Sequence, residues 1–289
     1  NEIEHKRNIY KNLSKTATTI YILLQDLYKI NPMYQFSLDN YMALFKDTIK
    51  EETTKQFDSF ETKLKTYSNV LIKKAFVYYS RSLFKSDLLI FGLFYIKTIF
   101  NDSSNKKYWD FLLGQSSSMK GDGASSSSVP RWLPEERKQI YEAFASVFPE
   151  LTSIPNENWY RGSTPEEDLK RANILPLGKM VIIQVFRPDR LESAMKNFIC
   201  ESLNIPSLAP PSLSINQLIH DASNDNKTPI MFLTTLGSDP SKELEDFAVK
   251  EVGRENYIEV PLGAGNNSML IDMLKDASEK GKWLVFKNI

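Results

Sequence analysis

The chain is poor in the residues that most often carry chemistry. Cys200 is its only cysteine, so no internal disulfide and no thiolate metal cage can form, a composition that suits a reducing compartment. His5 and His220 are the only histidines, and neither has metal-ligand spacing to the other or to Cys200. No G-x-S-x-G, H-E-x-x-H or Cys/His arrangement occurs, which leaves hydrolase and metalloenzyme chemistry without residues. Net charge is also missing. Lys plus Arg and Asp plus Glu both number 36, so no overall field favours nucleic acid or an anionic membrane. The most apolar run, Leu88 to Phe100, is 13 residues long and carries Lys97. A membrane span needs about 18 or more, so this run reads as a core helix. The chain opens on charged Asn1–Arg7 without an initiating Met and closes on the apolar run Trp283–Ile289. That is expected of a segment of a longer polypeptide.

What is present is globular material. Hydrophobic residues make up 42% and charged residues 25% of the 289 positions, enough for about two domains of ordinary size. Residues 1–113 read as all-helical. Ile9, Leu13, Thr16, Ile20, Leu23 and Leu27 step by four and three along one helix, and Ile30-Asn31-Pro32 stops it. Ser37 is placed to cap a second helix with Leu38, Tyr41, Phe45 and Ile49 inward. After a polar stretch from Lys50 to Lys63, a third helix carries Leu64, Leu71, Ala75 and Tyr78 on one side. The Leu88–Phe100 run is the fourth. Residues 114–129 are rich in Ser and Gly and read as a flexible linker, so a domain boundary is expected there.

In 130–289, Trp132-Leu133-Pro134-Glu135-Glu136 opens a helix with Ile140, Phe144 and Val147 inward, its acidic first turn suited to the positive end of the dipole. Met180 to Phe186 is undecided. Its β-branched content favours a strand, whereas Leu177, Val181 and Val185 fall on one helical face. Asp189 starts a helix running to Leu203, and Pro206 to Pro211 is an extended connection. Beyond residue 228 the pattern alternates: strand 229–235, helix 240–250, strand 257–261, a turn at Gly263-Ala264-Gly265, helix 268–279 closed by Gly281, and strand 283–287. Alternation of this kind predicts a parallel sheet with covering helices. The expected fold class is α/β, an all-α bundle followed by an αβα unit of P-loop type.

One stretch has the layout of a nucleotide site without its chemistry. A working P-loop, G-x-x-x-x-G-K-[ST] between strand and helix, cradles phosphate on bare amides and neutralises it with Lys. In register, Thr234 takes the first Gly position, Asp239 the second, Pro240 the Lys position and Ser241 the hydroxyl position, with Gly237 the one glycine left in the loop. An anion thus stands where phosphate would sit, and a ring without an N–H replaces the ammonium. The second requirement is a strand ending in Asp-Glu, to hold Mg²⁺ and orient water. Here the strand ends in Lys287-Asn288. The expectation is a retained fold with a dead site: no catalytic residue, no bound cofactor and no metal. A rival reading lets Lys242 reach a phosphate from one helical position later, which would make a nucleotide-sensing module.

Other charged clusters read more plainly. Gly263-Ala264-Gly265 lacks the third glycine of a dinucleotide fingerprint and reads as a tight turn. Glu166, Glu167 and Asp168 read as a first helical turn rather than an acid/base pair. In Arg187-Pro188-Asp189-Arg190 the proline breaks the chain, Asp189 caps, and the arginines pair with nearby carboxylates. The sharper alternative sends one arginine across a subunit interface.

Five stretches carry a family resemblance: Ile30-Asn31-Pro32-Met33-Tyr34-Gln35-Phe36-Ser37-Leu38, Arg81-Ser82-Leu83-Phe84 with Asp87, Phe186-Arg187-Pro188-Asp189-Arg190-Leu191, Leu236-Gly237-Ser238-Asp239-Pro240, and Trp283-Leu284-Val285-Phe286-Lys287-Asn288. On these the chain resembles part of the dynein heavy chain motor, in order and over nearly its whole length. Arg190–Met195 and Pro229–Phe247 look nearest the intraflagellar-transport heavy chain, the cytoplasmic dynein of cilia. Outer-arm, inner-arm and conventional cytoplasmic chains share most of the landmarks. The resemblance implies that 1–113 is the lid of the fifth AAA+ module and 130–289 most of the large subdomain of the sixth, with Met180–Phe186 helical. The 114–129 linker has no family counterpart. The resemblance further implies a ring segment that does not hydrolyse nucleotide, with ATP and Mg in other modules of the parent. Its implied partners are neighbouring AAA+ modules and, through the parent, microtubules and dynein intermediate and light chains, not nucleic acid or membrane. The implied location is cytoplasm, cytoskeleton and cilium. The alternatives are a nucleotide-sensing AAA+ module and a docking module for accessory chains.

Overall fold

A computed structural model describes residues 2–53, 57, 59–115, 129–163, 169, 174–209, 214–222, 229–234, 236–262 and 267–288. The chain divides into two units, Asn1–Pro210 and Pro211–Ile289.

Unit 1 begins with α1 (Glu2–Gln25), which buries Leu13, Ile20, Leu23 and Leu24 before a 3-10 turn (Asp26–Lys29) buries Leu27. The Asn31 side chain then accepts the Met33 N–H at 3.0 Å and its carbonyl accepts the Tyr34 N–H. The chain therefore turns at Pro32, which cannot continue a helix. α2 (Leu38–Thr53) starts where Ser37 Oγ accepts the Asn40 N–H at 3.1 Å, the capping role its position predicts. Its inward face runs through Tyr41, Leu44 and Thr48, whereas Leu38 is exposed in the first turn. Thr48 is tolerated inside because its hydroxyl donates to Leu44 O at 2.8 Å. α3 (Phe60–Ser80) begins within the polar stretch because Ser59 caps it, accepting the Thr62 N–H. Leu64, Leu71 and Ala75 are buried as expected, but Tyr79 turns inward in place of Tyr78.

α4 (Leu88–Ile99), α5 (Lys106–Leu112), α6 (Lys138–Val147), α7 (Glu157–Arg161), α8 (Pro176–Phe186) and α9 (Leu191–Leu203) are the further α-helices of unit 1 among the described residues. Met180–Phe186 lies in α8. Burial of Leu177, Met180, Val181, Ile182, Ile183, Val185 and Phe186 explains why periodicity left this segment undecided: a helix apolar on every face has no stripe to read. Gly92 on α4 admits α9 closely, since a Cβ there would lie 2.6 Å from Ile199 Cδ1.

Packing in unit 1 does not divide at the Ser-rich stretch, of which 116–128 lie outside the described residues. Phe111 and Tyr108, before it, meet Phe144 and Phe148, after it, with ring centroids 6.2 and 4.8 Å apart respectively. One hydrophobic core runs through both sides. The helices of 1–113 share their interior with those of 130–208.

Unit 2 is α/β. α10 (Ile215–Ala222) and α11 (Ser241–Val252) precede β1 (Tyr257–Pro261), and α12 (Asn267–Lys280) leads to β2 (Trp283–Lys287). The strands pair in parallel, from Tyr257 opposite Trp283 to Pro261 opposite Lys287. A helix between parallel neighbours is what such pairing requires. Gly281, at φ +67°, ends α12 in the left-handed region as predicted, and the Lys282 N–H returns to Ala277 O at 2.9 Å. The strand expected at 229–235 does not form: residues 229–234 are coil, and Ile230, Met231 and Phe232 are exposed. A buried strand needs a ladder partner, and among the described residues only β1 and β2 pair. The turn at Gly263-Ala264-Gly265 lies outside the described residues. Among those described, no helix is long and apolar enough to cross a membrane.

Candidate functional site

The turn 236–241 enters α11 with its own anion at the helix N-terminus. Gly237 adopts φ +86°, a conformation that favours glycine, and the chain then reaches Pro240, whose carbonyl accepts the Leu244 N–H. Asp239 Oδ1 accepts the Ser241 backbone N–H at 2.9 Å and the Ser241 hydroxyl. Those bonds, aided by the positive charge of Lys287, hold the Asp239 carboxyl below the usual carboxylate range. In a phosphate-binding loop the first amides of the helix face the ligand. Here one of them is already taken by the chain's own carboxylate. Thr234, Gly237, Ser238 and Asp239 are all exposed, so this carboxylate caps a helix in open solvent. The helix begins at Ser241, one residue later than read from the sequence, and Lys242 is exposed in its first turn.

The end of β2 is neutralised in the opposite sense. Lys287 Nζ lies 2.7 Å from Glu259 Oε2 on β1, while the Tyr257 hydroxyl donates to Glu259 Oε1 at 2.7 Å. Tyr257 and Glu259 share a strand face by period two, and parallel pairing carries Lys287 to that end of the sheet. Glu259 is held below the usual carboxylate range first by Lys287, then by Tyr257. The Lys287 ammonium is raised first by Glu259 and further by the fields of Asp239 and Glu245. Burial and the neighbouring carboxylate push the Tyr257 hydroxyl upward. Asn288 follows with φ 60°, and the Lys287 carbonyl accepts the Leu262 N–H at 2.8 Å. The sequence pointed to Lys287 and missed Glu259 and Tyr257. Their i, i+2 spacing beside a strand ending in lysine was the signal.

The remaining candidates disperse. Arg187 is committed within unit 1: it donates to Tyr160 O and Gly162 O at 2.7 and 2.8 Å and forks onto both carboxylate oxygens of Asp189. That bidentate pair holds Asp189 below the usual range. Arg137 likewise closes α8 by donating to Gln184 O and Val185 O. Burial raises the Cys200 thiol, which makes it a poor nucleophile. Among the described residues no cluster of His, Cys, Asp or Glu is arranged to hold a metal ion. Glu166, Glu167 and Asp168 lie outside the described residues. A recess of about 480 Å³ in unit 2 is lined by Ile258, Met269, Asp272, Met273 and Asp276, none of them in the 236–241 turn.

Residues 225–289 match the family described as dynein heavy chain region D6 P-loop domain. The chain is similar, across 99% of its length in each case, to cytoplasmic dynein 2 heavy chain 1 of Chlamydomonas reinhardtii (33% identical over 297 residues) and of Homo sapiens (27% over 304). Similarity extends, at 26% identity over 313 residues, to the Dynein-1-beta heavy chain of the flagellar inner arm I1 complex of Chlamydomonas reinhardtii. The chain spans 7% of the length of each of these relatives.

Proposed function

With residues 225–289 matching the dynein heavy chain region D6 P-loop domain family and the whole chain similar to dynein heavy chains, we propose that it is a non-catalytic, structural segment of a dynein AAA+ ring. In this reading residues 1–113 form the lid of one module, 114–129 a linker, and 130–289 the degenerate large subdomain of the next. The parent is a microtubule motor that hydrolyses ATP in other modules, and the segment transmits movement between neighbours as a rigid part. The names of the relatives favour the cytoplasmic dynein 2 group, hence cytoplasm, cytoskeleton and cilium, with intraflagellar transport as the task.

The observation that supports a silent nucleotide site is the internal neutralisation of both of its poles. Asp239 takes the helix-terminal amide that a phosphate would use. Lys287 stands at the metal position and is paired with Glu259. A triphosphate arriving here would meet a carboxylate, and Mg²⁺ would meet an ammonium. Isothermal titration of the chain with ATP and Mg²⁺ tests this. Sub-millimolar binding is expected to be absent, and tight Mg²⁺-dependent binding would overturn the reading.

A further inference from the structure

We propose that the outward face of α1 carrying Arg7, Lys11 and Lys15 is a docking surface for an acidic helical segment of a polypeptide. The inference concerns unit 1 and does not depend on the nucleotide reading of unit 2. Charge is balanced over the whole chain, yet between Glu4 and Asp26 there is no acidic residue, while Lys6, Arg7, Lys11 and Lys15 fall in the first half of that stretch. Arg7, Lys11 and Lys15 are spaced by four, so they stack on one helical face and repel one another. Arg7 and Lys11 also lie in the N-terminal half of α1, the half nearer the positive end of the macrodipole. Both features work against the isolated helix. Among the described residues none of the three forms an ion pair that would offset them.

The three cations line a shallow groove of about 660 Å³ together with the hydroxyls of Ser14, Thr18 and Thr19. The opposite face of α1 is fully used, with Leu13, Ile20, Leu23 and Leu24 buried. The outward face is therefore free to receive a partner without disturbing the core. Its cations repeat at about one helical pitch, roughly 6 Å, the spacing of carboxylates at i, i+4 and i+8 on a second helix. Hydroxyls beside them can donate to carboxylates that the ammonium groups leave half-satisfied. A lipid surface fits less well, because Tyr10 is the single large apolar side chain in the groove and its ring packs edge-on against Phe60 at 5.5 Å. Single-stranded nucleic acid stacks successive bases on a series of aromatic rings, and the groove lining offers Tyr10 alone.

Fluorescence anisotropy on the full 289-residue chain tests the proposal. The probe is a labelled Ala-based helical peptide with Glu at every fourth position, and its comparison is the same composition scrambled around the helix. We expect saturable, salt-sensitive binding of the aligned peptide, weakened at least about tenfold in the Arg7→Gln/Lys11→Gln/Lys15→Gln variant. Glutamine keeps helix propensity, and circular dichroism of the variant is expected to match the parent. The control variant Lys85→Gln/Arg131→Gln/Lys250→Gln removes the same charge elsewhere and should bind as the parent does. Amide exchange along α1 should also slow when the peptide is bound. Equal binding of the scrambled peptide, equal loss in the control, or preference for single-stranded RNA or phosphatidylserine vesicles over the peptide would each overturn it.

Discussion

Unit 1 and unit 2 use aromatic side chains in different ways. In unit 1 rings interlock through the core: Phe76 stacks on Phe91 at 5.0 Å, Phe91 meets Tyr95 at 5.5 Å, and Phe144 touches Phe148 and Phe186 at 5.8 and 5.7 Å. In unit 2 one ring pair occurs among the described residues, Phe247 with Trp283 at 5.8 Å, beside a small cluster of Ile215, Leu244, Ala248 and Tyr257. At the start of α11 and the end of β2 the contacts are polar, Asp239 with Ser241 and Lys287 with Glu259. Dense packing fixes unit 1 by shape, whereas unit 2 depends on a strand ladder and on charges that solvent can reach.

The comparison is most open to attack at Phe144, fully buried where rings from both sides of the Ser-rich stretch converge. Phe144→Ala should cost about 3–5 kcal/mol of unit 1 stability, read by urea unfolding, with amide exchange accelerating across α5, α6 and α8. A loss confined to α6 would mean that the two sides do not share one core. A smaller effect is expected at Tyr34, whose hydroxyl accepts the Phe84 N–H at 3.0 Å and donates to Asp87 Oδ2 at 2.5 Å. Burial, then the bond to Asp87, pushes the phenol up to about 12, so it stays a donor throughout the neutral range. Tyr34→Phe leaves a half-buried N–H and a carboxylate short of a partner, at a cost of about 1 kcal/mol, measured by the same unfolding.

The smallest effect, and the one that sharpens the contrast, is in unit 2. Asp239 and Glu259 have folded-state pKa values below the usual range. Their stabilisation is therefore complete above an unfolded value of about 4 and lost as pH falls through the folded one. Lys287 is raised, so its contribution is complete below about 10.5 and lost as pH rises through the folded value. Between these limits the Ser241 amide shift should be constant in a nuclear magnetic resonance titration, and it should move only on acidification below about pH 4. Lys287→Met should bring the Glu259 titration back toward ordinary carboxylate values, and Lys287→Arg should keep it low. A Glu259 titration indifferent to Lys287→Met would show that the ion pair does not govern this end of the sheet.

Much of this was legible in residue order, and the misses have physical causes. Caps and breakers at Ser37, Pro32 and Gly281 act within a few residues, so the sequence exposes them directly. The α12–β2 unit and its parallel strands followed from alternation. The 229–235 strand was misread because an apolar run announces burial but not a neighbour to pair with. α8 was opaque for the reverse reason: its surroundings are apolar on every side. The packing continuity across 114–129 could not be read from composition, because Ser-rich chain describes the connection and not what its two ends touch. At the start of α11 and the end of β2, Asp239-Pro240 and Lys287-Asn288 could be read one residue at a time. Glu259 as the partner of Lys287 needed the strand register.

The Gly92–Ile199 contact has a consequence for how the protein is made. The two positions lie 107 residues apart in the chain (199 minus 92), so at roughly 5–20 residues per second a ribosome needs about 5–20 s to deliver the second after the first. During that interval the notch that Gly92 leaves on α4 has no Ile199 to fill it. The close crossing of α4 and α9 therefore forms only after most of unit 1 has been made, and a chaperone has that window in which to act.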